Sequence, residues 1–180
     1  LGNFRKLITK KYKANRTNQQ KPPLLNEVHA YVKDKHNSIY GYGIETDDMV
    51  ARYWYDLSNE FGRDEVMIVS IDKDYKQFPC LMYNYHYKHK VVYDITEEQA
   101  MYNLYEQMIV GDTADNIKVC KGYGKAYALK LFKDSKSEFS LISQTYRLYK
   151  QVYGDEARAM FEQAKSLLKL KTDCYENIKR

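Results

Sequence analysis

No apolar run in this 180-residue chain approaches the length of a membrane-spanning helix, and no cleavable signal pattern opens it. The expected address is therefore the cytoplasm, with no membrane partner. Cysteine is also scarce: Cys80, Cys120 and Cys174 are odd in number, far apart and match no metal spacing. That excludes a disulfide framework and a zinc module, and it suits a reducing compartment. Only three prolines occur and 44% of residues are hydrophobic, which excludes a disordered chain. The most local of these absences is of acid. Leu1 to Asn26 contains none, against seven basic residues: Arg5, Lys6, Lys10, Lys11, Lys13, Arg16 and Lys21. Such a stretch is a footprint for a polyanion or a solvated basic face.

Beyond this arm, which closes at Pro22-Pro23, Leu24 to Lys35 has helical spacing and Ile39 to Ile44 reads as a strand or extended loop. Glu45-Thr46-Asp47-Asp48 opens a helix that Thr46 can cap, with Val50, Trp54, Leu57 and Phe61 as its apolar stripe up to Gly62. Val66 to Ile71 is a near-continuous apolar run, which predicts a buried parallel strand delivering Asp72-Lys73-Asp74 at its carboxyl end. Two short strands follow at Leu81 to Tyr83 and Val91 to Tyr93. Thr96-Glu97-Glu98-Gln99 is a capping box for the next helix, and Glu138 to Tyr153 and Asp155 to Leu170 form two more, divided at Gly154. The expected order is a basic arm (residues 1–26), an α/β core (27–95) and a helical lobe (96–180).

Acids cluster at the ends of three predicted elements: Glu45, Asp47 and Asp48; Asp72 and Asp74; Asp112 and Asp115. Each cluster alone also reads as helix capping or turn chemistry. Gathered at one rim of a sheet, like charges raise one another's pKa unless a cation neutralises them. Hard oxygens without histidine or cysteine select Mg²⁺ or Mn²⁺. Two such ions about 3.5–4 Å apart can activate a water and stabilise a leaving oxygen in phosphodiester cleavage. Asp112 and Asp115, three apart, would share a face of a helical turn. After them Gly122 and Gly124 permit positive φ, so backbone N–H groups can converge on an anion, with Lys121, Lys125 and Lys130 adding charge. His86 and His89, among Tyr85, Tyr87, Lys88 and Lys90, read as a surface strand rather than as ligands.

At these residues the chain resembles the 5′-to-3′ exonuclease and flap endonuclease family, most of all the exonucleases of bacteriophages. The matches, in order, are Asn3-Phe4-Arg5-Lys6 with Tyr12-Lys13-Ala14-Asn15-Arg16; Glu45-Thr46-Asp47-Asp48; Ile71-Asp72-Lys73-Asp74-Tyr75-Lys76; and Gly111-Asp112-Thr113-Ala114-Asp115-Asn116-Ile117 with Gly122-Tyr123-Gly124. The resemblance implies a Rossmann-like nuclease core of the PIN and flap-endonuclease type and a helical lobe with a helix-hairpin-helix-like DNA clamp at about 111–132. It implies a divalent-metal-dependent hydrolase acting on DNA with 5′ ends, flaps or nicks, in replication or repair. Metal-ligand roles carry over to Glu45, Asp47, Asp48, Asp72, Asp74, Asp112 and Asp115, for two ions, Mg²⁺ or Mn²⁺. Lys13 and Arg16, at the start of the family's helical arch, would meet the scissile phosphate. Arg5, Lys6, Lys10, Lys11, Lys121, Gly122, Gly124, Lys125 and Lys130 would hold DNA, with K⁺ a further ion for the hairpin.

Two departures stand out. Lys118-Val119 occupies the place of the family's Pro-Gly, which predicts a looser turn. The family also opens with an aspartate-bearing strand, and another aspartate stands just before the position of Leu1. The expectation is a core incomplete at its N-terminus, completed by a longer parent or a separate chain. Three readings result: a metal-dependent 5′ nuclease, a DNA-structure-binding module that does not cut, and a plain α/β domain whose acids are caps.

Overall fold

The computed structural model describes residues 3–17, 19–36, 38–41, 43–173 and 178–179; Leu1, Gly2 and Cys174 lie outside the described residues. The basic arm folds as helix α1 (Phe4–Ile8), capped by the Asn3 side chain, and a turn of 3₁₀ helix (Ala14–Arg16). Helix α2 (Leu25–Lys35) follows and buries no residue. Leu24, Val28 and Tyr31 stand along its exposed apolar side.

Strand β1 (Tyr40–Gly41) leads into helix α3 (Thr46–Phe61). Its N-cap is Glu45, not Thr46: the Asp48 carboxylate reaches back to the Glu45 backbone N–H at 3.4 Å. The buried stripe also differs from the expected one. Met49, Ala51, Arg52 and Trp54 face inward, whereas Leu57 and Phe61 are exposed. Trp54 stacks on Phe78 at 5.2 Å between ring centroids, which fixes the face α3 turns to the sheet.

That sheet has the order β2 (Met67–Val69), β3 (Leu81–Asn84), β4 (Val91–Asp94). β2 and β3 are parallel, with Ile68 opposite Met82, and β3 and β4 form an antiparallel hairpin whose connection carries His86 and His89. The parallel pair needs a crossover, and residues 70–80 supply a short one containing a 3₁₀ turn (Lys73–Gln77). β2 was expected to be buried on both faces, but it is an edge strand. Ile68 points into the core while Met67 and Val69 are exposed, and among the described residues nothing pairs with its outer side. A second sheet pairs β1 with β5 (Ile178–Lys179).

Helix α4 (Glu97–Val110) starts at the expected capping box: Thr96 Oγ1 accepts from Gln99 N, and Gln99 Oε1 accepts from Thr96 N. It is the shared wall of two cores. Ala100 joins Ala51, Trp54, Ile68 and Met82 on the sheet side. Tyr105, Met108 and Ile109 pack with α5 (Lys125–Leu131), α6 (Glu138–Tyr153) and α7 (Ala157–Leu168) through Ala128, Leu148, Tyr149 and Phe161. The buried hydroxyl of Tyr149 donates to the Met108 carbonyl at 2.6 Å, so this core closes without an orphaned phenol. Cys80 and Cys120 are buried free thiols, one in each core. Among the described residues no helix is long and apolar enough to cross a membrane.

Candidate active site

Three acid-bearing segments meet beyond the carboxyl end of β2, and the basic arm folds over them. The first is the N-terminus of α3, where acids suit the positive end of the helix. The second is the turn after β2. Asp72 caps it by accepting from Asp74 N at 2.9 Å, and Asp74 Oδ1 accepts from Gln107 Nε2 of α4 at 2.6 Å. The buried Tyr75 donates its hydroxyl to Asp47 Oδ1 at 2.9 Å and so ties this turn to α3.

The third segment follows α4. Gly111 ends that helix at φ +78°, and a Cβ there would lie 2.4 Å from the Ile117 carbonyl oxygen. Asp112 and Ile117 then exchange backbone hydrogen bonds of 2.9 and 2.7 Å, closing residues 112–117 into a loop. This replaces the helical face expected to carry Asp112 and Asp115 together. Asp112 Oδ1 accepts from the N–H groups of Ala114 and Asp115, and its Oδ2 meets Lys73 Nζ at 2.8 Å. Asp115 turns to the arm, where Arg16 Nη2 lies 2.7 Å from its Oδ1.

The arm supplies more than loose positive charge. Lys13 sits in the left-handed region at φ 54°, and its N–H donates to the Asp115 carbonyl at 2.9 Å. Its ammonium pairs with Glu45 and lies 3.6 Å from Asp115. The buried Tyr12 hydroxyl lies between Glu45 Oε2 (2.6 Å) and Asp115 Oδ2 (2.9 Å), one proton between two carboxylates. Lys6, Lys10, Lys11, Lys121, Lys125 and Lys130 are exposed.

Two expectations change here. Arg5, read as a DNA contact, is 1% exposed and holds Asp48 through Nη1 (2.6 Å) and Nη2 (2.8 Å). Its Nε donates to the Leu167 carbonyl at 2.9 Å, so it joins α1, α3 and the end of α7. Asp48, read as a metal ligand, is fully buried in that pair and also accepts from Lys171 N at 2.9 Å. In the hairpin, Gly122 does use positive φ (+91°), whereas Gly124 is extended (φ −113°) and serves as the N-cap of α5. Sequence reasoning missed Tyr12, Tyr75 and Gln107. The tyrosines were hidden among nineteen, and Gln107 in a stretch read only for helical spacing.

The electrostatics divide the acids. Burial and the negative charge of Asp72 push Asp74 up to about 6, against the Gln107 hydrogen bond and the Lys73 charge. Asp47 is raised by burial, with Tyr75 opposing and Asp72 and Glu45 reinforcing. Burial works the same way on Glu45, but the hydrogen bonds and charges of Lys13, Tyr12 and Arg5 outweigh it and hold the group below its ordinary value. For Asp112 too, burial is overcome by Lys73 and by two backbone N–H groups. Lysine ammonium groups thus hold Glu45 and Asp112, while Asp72 repels both Asp47 and Asp74 and the opposing hydrogen bonds and lysines offset this only in part. A set of hard oxygens with that remaining repulsion fits a hard divalent cation. Among the described residues no three His, Cys, Asp or Glu side chains already converge as a cage.

The sheet, the crossing turn and the helical lobe define a flap-endonuclease fold. Solved structures of bacteriophage T5 proteins are among those the chain resembles. The T5 flap endonuclease, in a pseudo-enzyme–product complex with DNA and metal ions, superposes with a TM-score of 0.73 over 97% of this chain and 72% of that one, at 19% identity. The same T5 protein co-crystallised with metal ions gives a TM-score of 0.71 at 19% identity, covering 97% of this chain and 75% of the other. The T5 5′-exonuclease with bound zinc ions gives 0.60 at 16% identity, over 94% and 81% of the two chains. No protein-family model and no curated protein matches the sequence.

Proposed function

We propose that this chain is the core of a metal-dependent deoxyribonuclease that hydrolyses phosphodiester bonds at the 5′ ends and flaps of DNA. The observation that carries the reading is the meeting of Asp47, Asp72, Asp74 and Asp112 beyond β2, tied by Tyr75, Gln107 and Lys73. Asp47, Asp72 and Asp74, with Asp112 after Lys73 moves away, would hold one or two Mg²⁺ or Mn²⁺ ions. When bound, these would supply an activated water and charge for the leaving oxygen. Glu45 and Asp115 lie at the arm side of the site, and Asp48 acts by positioning Arg5.

The chain's own cations handle the phosphate. Lys13 and Arg16 rest on Glu45 and Asp115, and a DNA phosphate arriving there exchanges one set of oxygens for another around the same donors. Tyr12 keeps both acids in place. Exposed lysines of the arm and of the hairpin at 121–130 follow the backbone without reading sequence, with K⁺ a further ion for the hairpin. The arm, core and lobe divide at about residues 26 and 95, and the workplace is the intracellular compartment that holds the DNA.

One observation favours a second reading, a DNA-structure-binding module that does not cut. Lys13 and Lys73 already occupy cation positions on Glu45 and Asp112, and no acidic cage is preformed. The Asp72→Asn/Asp74→Asn protein separates the two. Loss of metal-dependent cleavage with DNA affinity kept within about threefold supports the nuclease; cleavage that persists in the double variant contradicts the site.

A further inference from the structure

Next to the acidic rim, between the 73–77 turn and α4, lies a pocket of about 260 Å³. Lys73, Lys76, Lys125, Gln77, Asn103 and Gln107 line it; the Lys73 ammonium lies 2.8 Å from Asp112 and that of Lys76 over the Tyr93 ring, 3.6 Å from its centroid. None of the seven acids of the site lines it. The one carboxylate present, Glu106, is held by Lys125 at 3.3 Å.

The amides are set by a connected network. Gln77 Nε2 donates to the Leu168 carbonyl (2.9 Å) and to Gln107 Oε1 (2.7 Å), and its Oε1 accepts from Leu170 N (3.3 Å). This leaves Gln107 one orientation, with its NH₂ toward Asp74. Asn103 Nδ2 donates to the Lys76 carbonyl at 2.9 Å. Gln107 and Asn103 each use one amide hydrogen in these bonds and keep a second one. The pocket is therefore lined by three lysines, resting on Asp112, the Tyr93 ring and Glu106, and by two amides that each keep a spare N–H, and it shares Lys73 and Gln107 with the acidic rim.

We propose that this pocket receives the terminal 5′-phosphate of a nucleic-acid strand. The inference rests on the nuclease reading and narrows it: a phosphate monoester bears more charge than an internal diester, and the lysines answer that difference as point charges. At about 30 Å³ for each water, the space holds a phosphate with several waters. Because Lys73 and Gln107 touch Asp112 and Asp74 directly, a terminal phosphate here sets the next phosphodiester against the acids. A strand held this way loses one nucleotide from its end.

The test is binding in EDTA, where no metal-dependent cleavage intervenes, by fluorescence anisotropy of two oligonucleotides that differ only in a 5′-phosphate or 5′-hydroxyl. The intact chain is expected to prefer the phosphorylated end by about tenfold, the worth of one charge-assisted contact. Inorganic phosphate should erase that preference. Lys125→Met, at a side chain 74% exposed and so without a folding role, and Lys76→Met should each lose most of the ratio, whatever they do to overall affinity. Equal affinity for the two ends in the intact chain overturns the proposal, as does a preference that both variants keep. Cutting at an internal flap junction reports separately on the nuclease reading. Flap cutting without end preference removes the pocket and leaves the nuclease; end preference without cutting does the reverse.

Discussion

Arg5 and Asp74 show the two ways this chain treats charge. Arg5 is buried but saturated: Asp48, Glu45 and two carbonyls from the end of α7 surround it. Arg5→Ala leaves the buried Asp48 carboxylate without its guanidinium partner, and the expected loss is about 3–5 kcal/mol, read by urea denaturation. A loss under about 1 kcal/mol would show that the pair does not hold the arm. Asp74 is the opposite case. Its folded pKa of about 6 lies above the ordinary aspartate value of 3.8, so the native state binds the extra proton between these pH values. Stability then falls as pH rises through that window, and the penalty is complete above it. Asp74→Asn should raise stability at pH 7 by on the order of 1–3 kcal/mol while removing cleavage. Thermal melts at pH 7 and pH 4 check this: the variant's advantage should shrink at the lower pH, and an advantage equal at both would refute the assignment.

Among the elements, those governed by local chemistry were legible. The capping box at Thr96 set the start of α4, Gly154 set the end of α6, and β3 and β4 lie where two short strands were expected, although His86 and His89, read as a surface strand, fall in their connection. What failed was the face each element turns inward. The apolar spacing of α3 named Leu57 and Phe61, yet the structure buries Ala51 and Arg52, because the stacking of Trp54 on Phe78 sets the rotation. β2 reads as a buried strand by composition but is an edge, since pairing is decided by segments far away in sequence. The loop after α4 was read as helix because spacing alone cannot show the Asp112–Ile117 closure. That closure makes Gly111 the sensitive glycine of the site. Gly111→Ala should lower stability by about 1–3 kcal/mol through its positive φ and the contact with Ile117, and should weaken Mn²⁺ binding by displacing Asp112. Gly124→Ala, at an extended residue with nothing within 4 Å of its Cβ position, should leave the melting temperature within about 1 °C of the parent's. Equal losses in the two variants would contradict this account of the loop.

For the whole molecule, the clustering of acids at element ends was legible in the sequence, and those ends lie beyond the carboxyl end of β2. The sorting of the acids was not: Asp48 goes to Arg5, Asp115 to the arm, and the rest to the rim, through Tyr12, Tyr75 and Gln107, contacts that span about 30 to 100 residues. Basic residues on the arm and near the hairpin leave the molecule with exposed lysines at both ends of this line. DNA affinity should therefore fall with salt, and replacing Lys121 and Lys130 by alanine should reduce the slope of log affinity against log salt by about two units if each neutralises one phosphate. An unchanged slope would place the duplex elsewhere. The most direct measurement is cleavage of a 5′-labelled flap substrate by the purified chain with Mg²⁺, Mn²⁺ or EDTA. The account predicts cutting with either metal and none in EDTA. Tight binding of the flap with no cutting under any of the three conditions would contradict the nuclease and leave a DNA-gripping module.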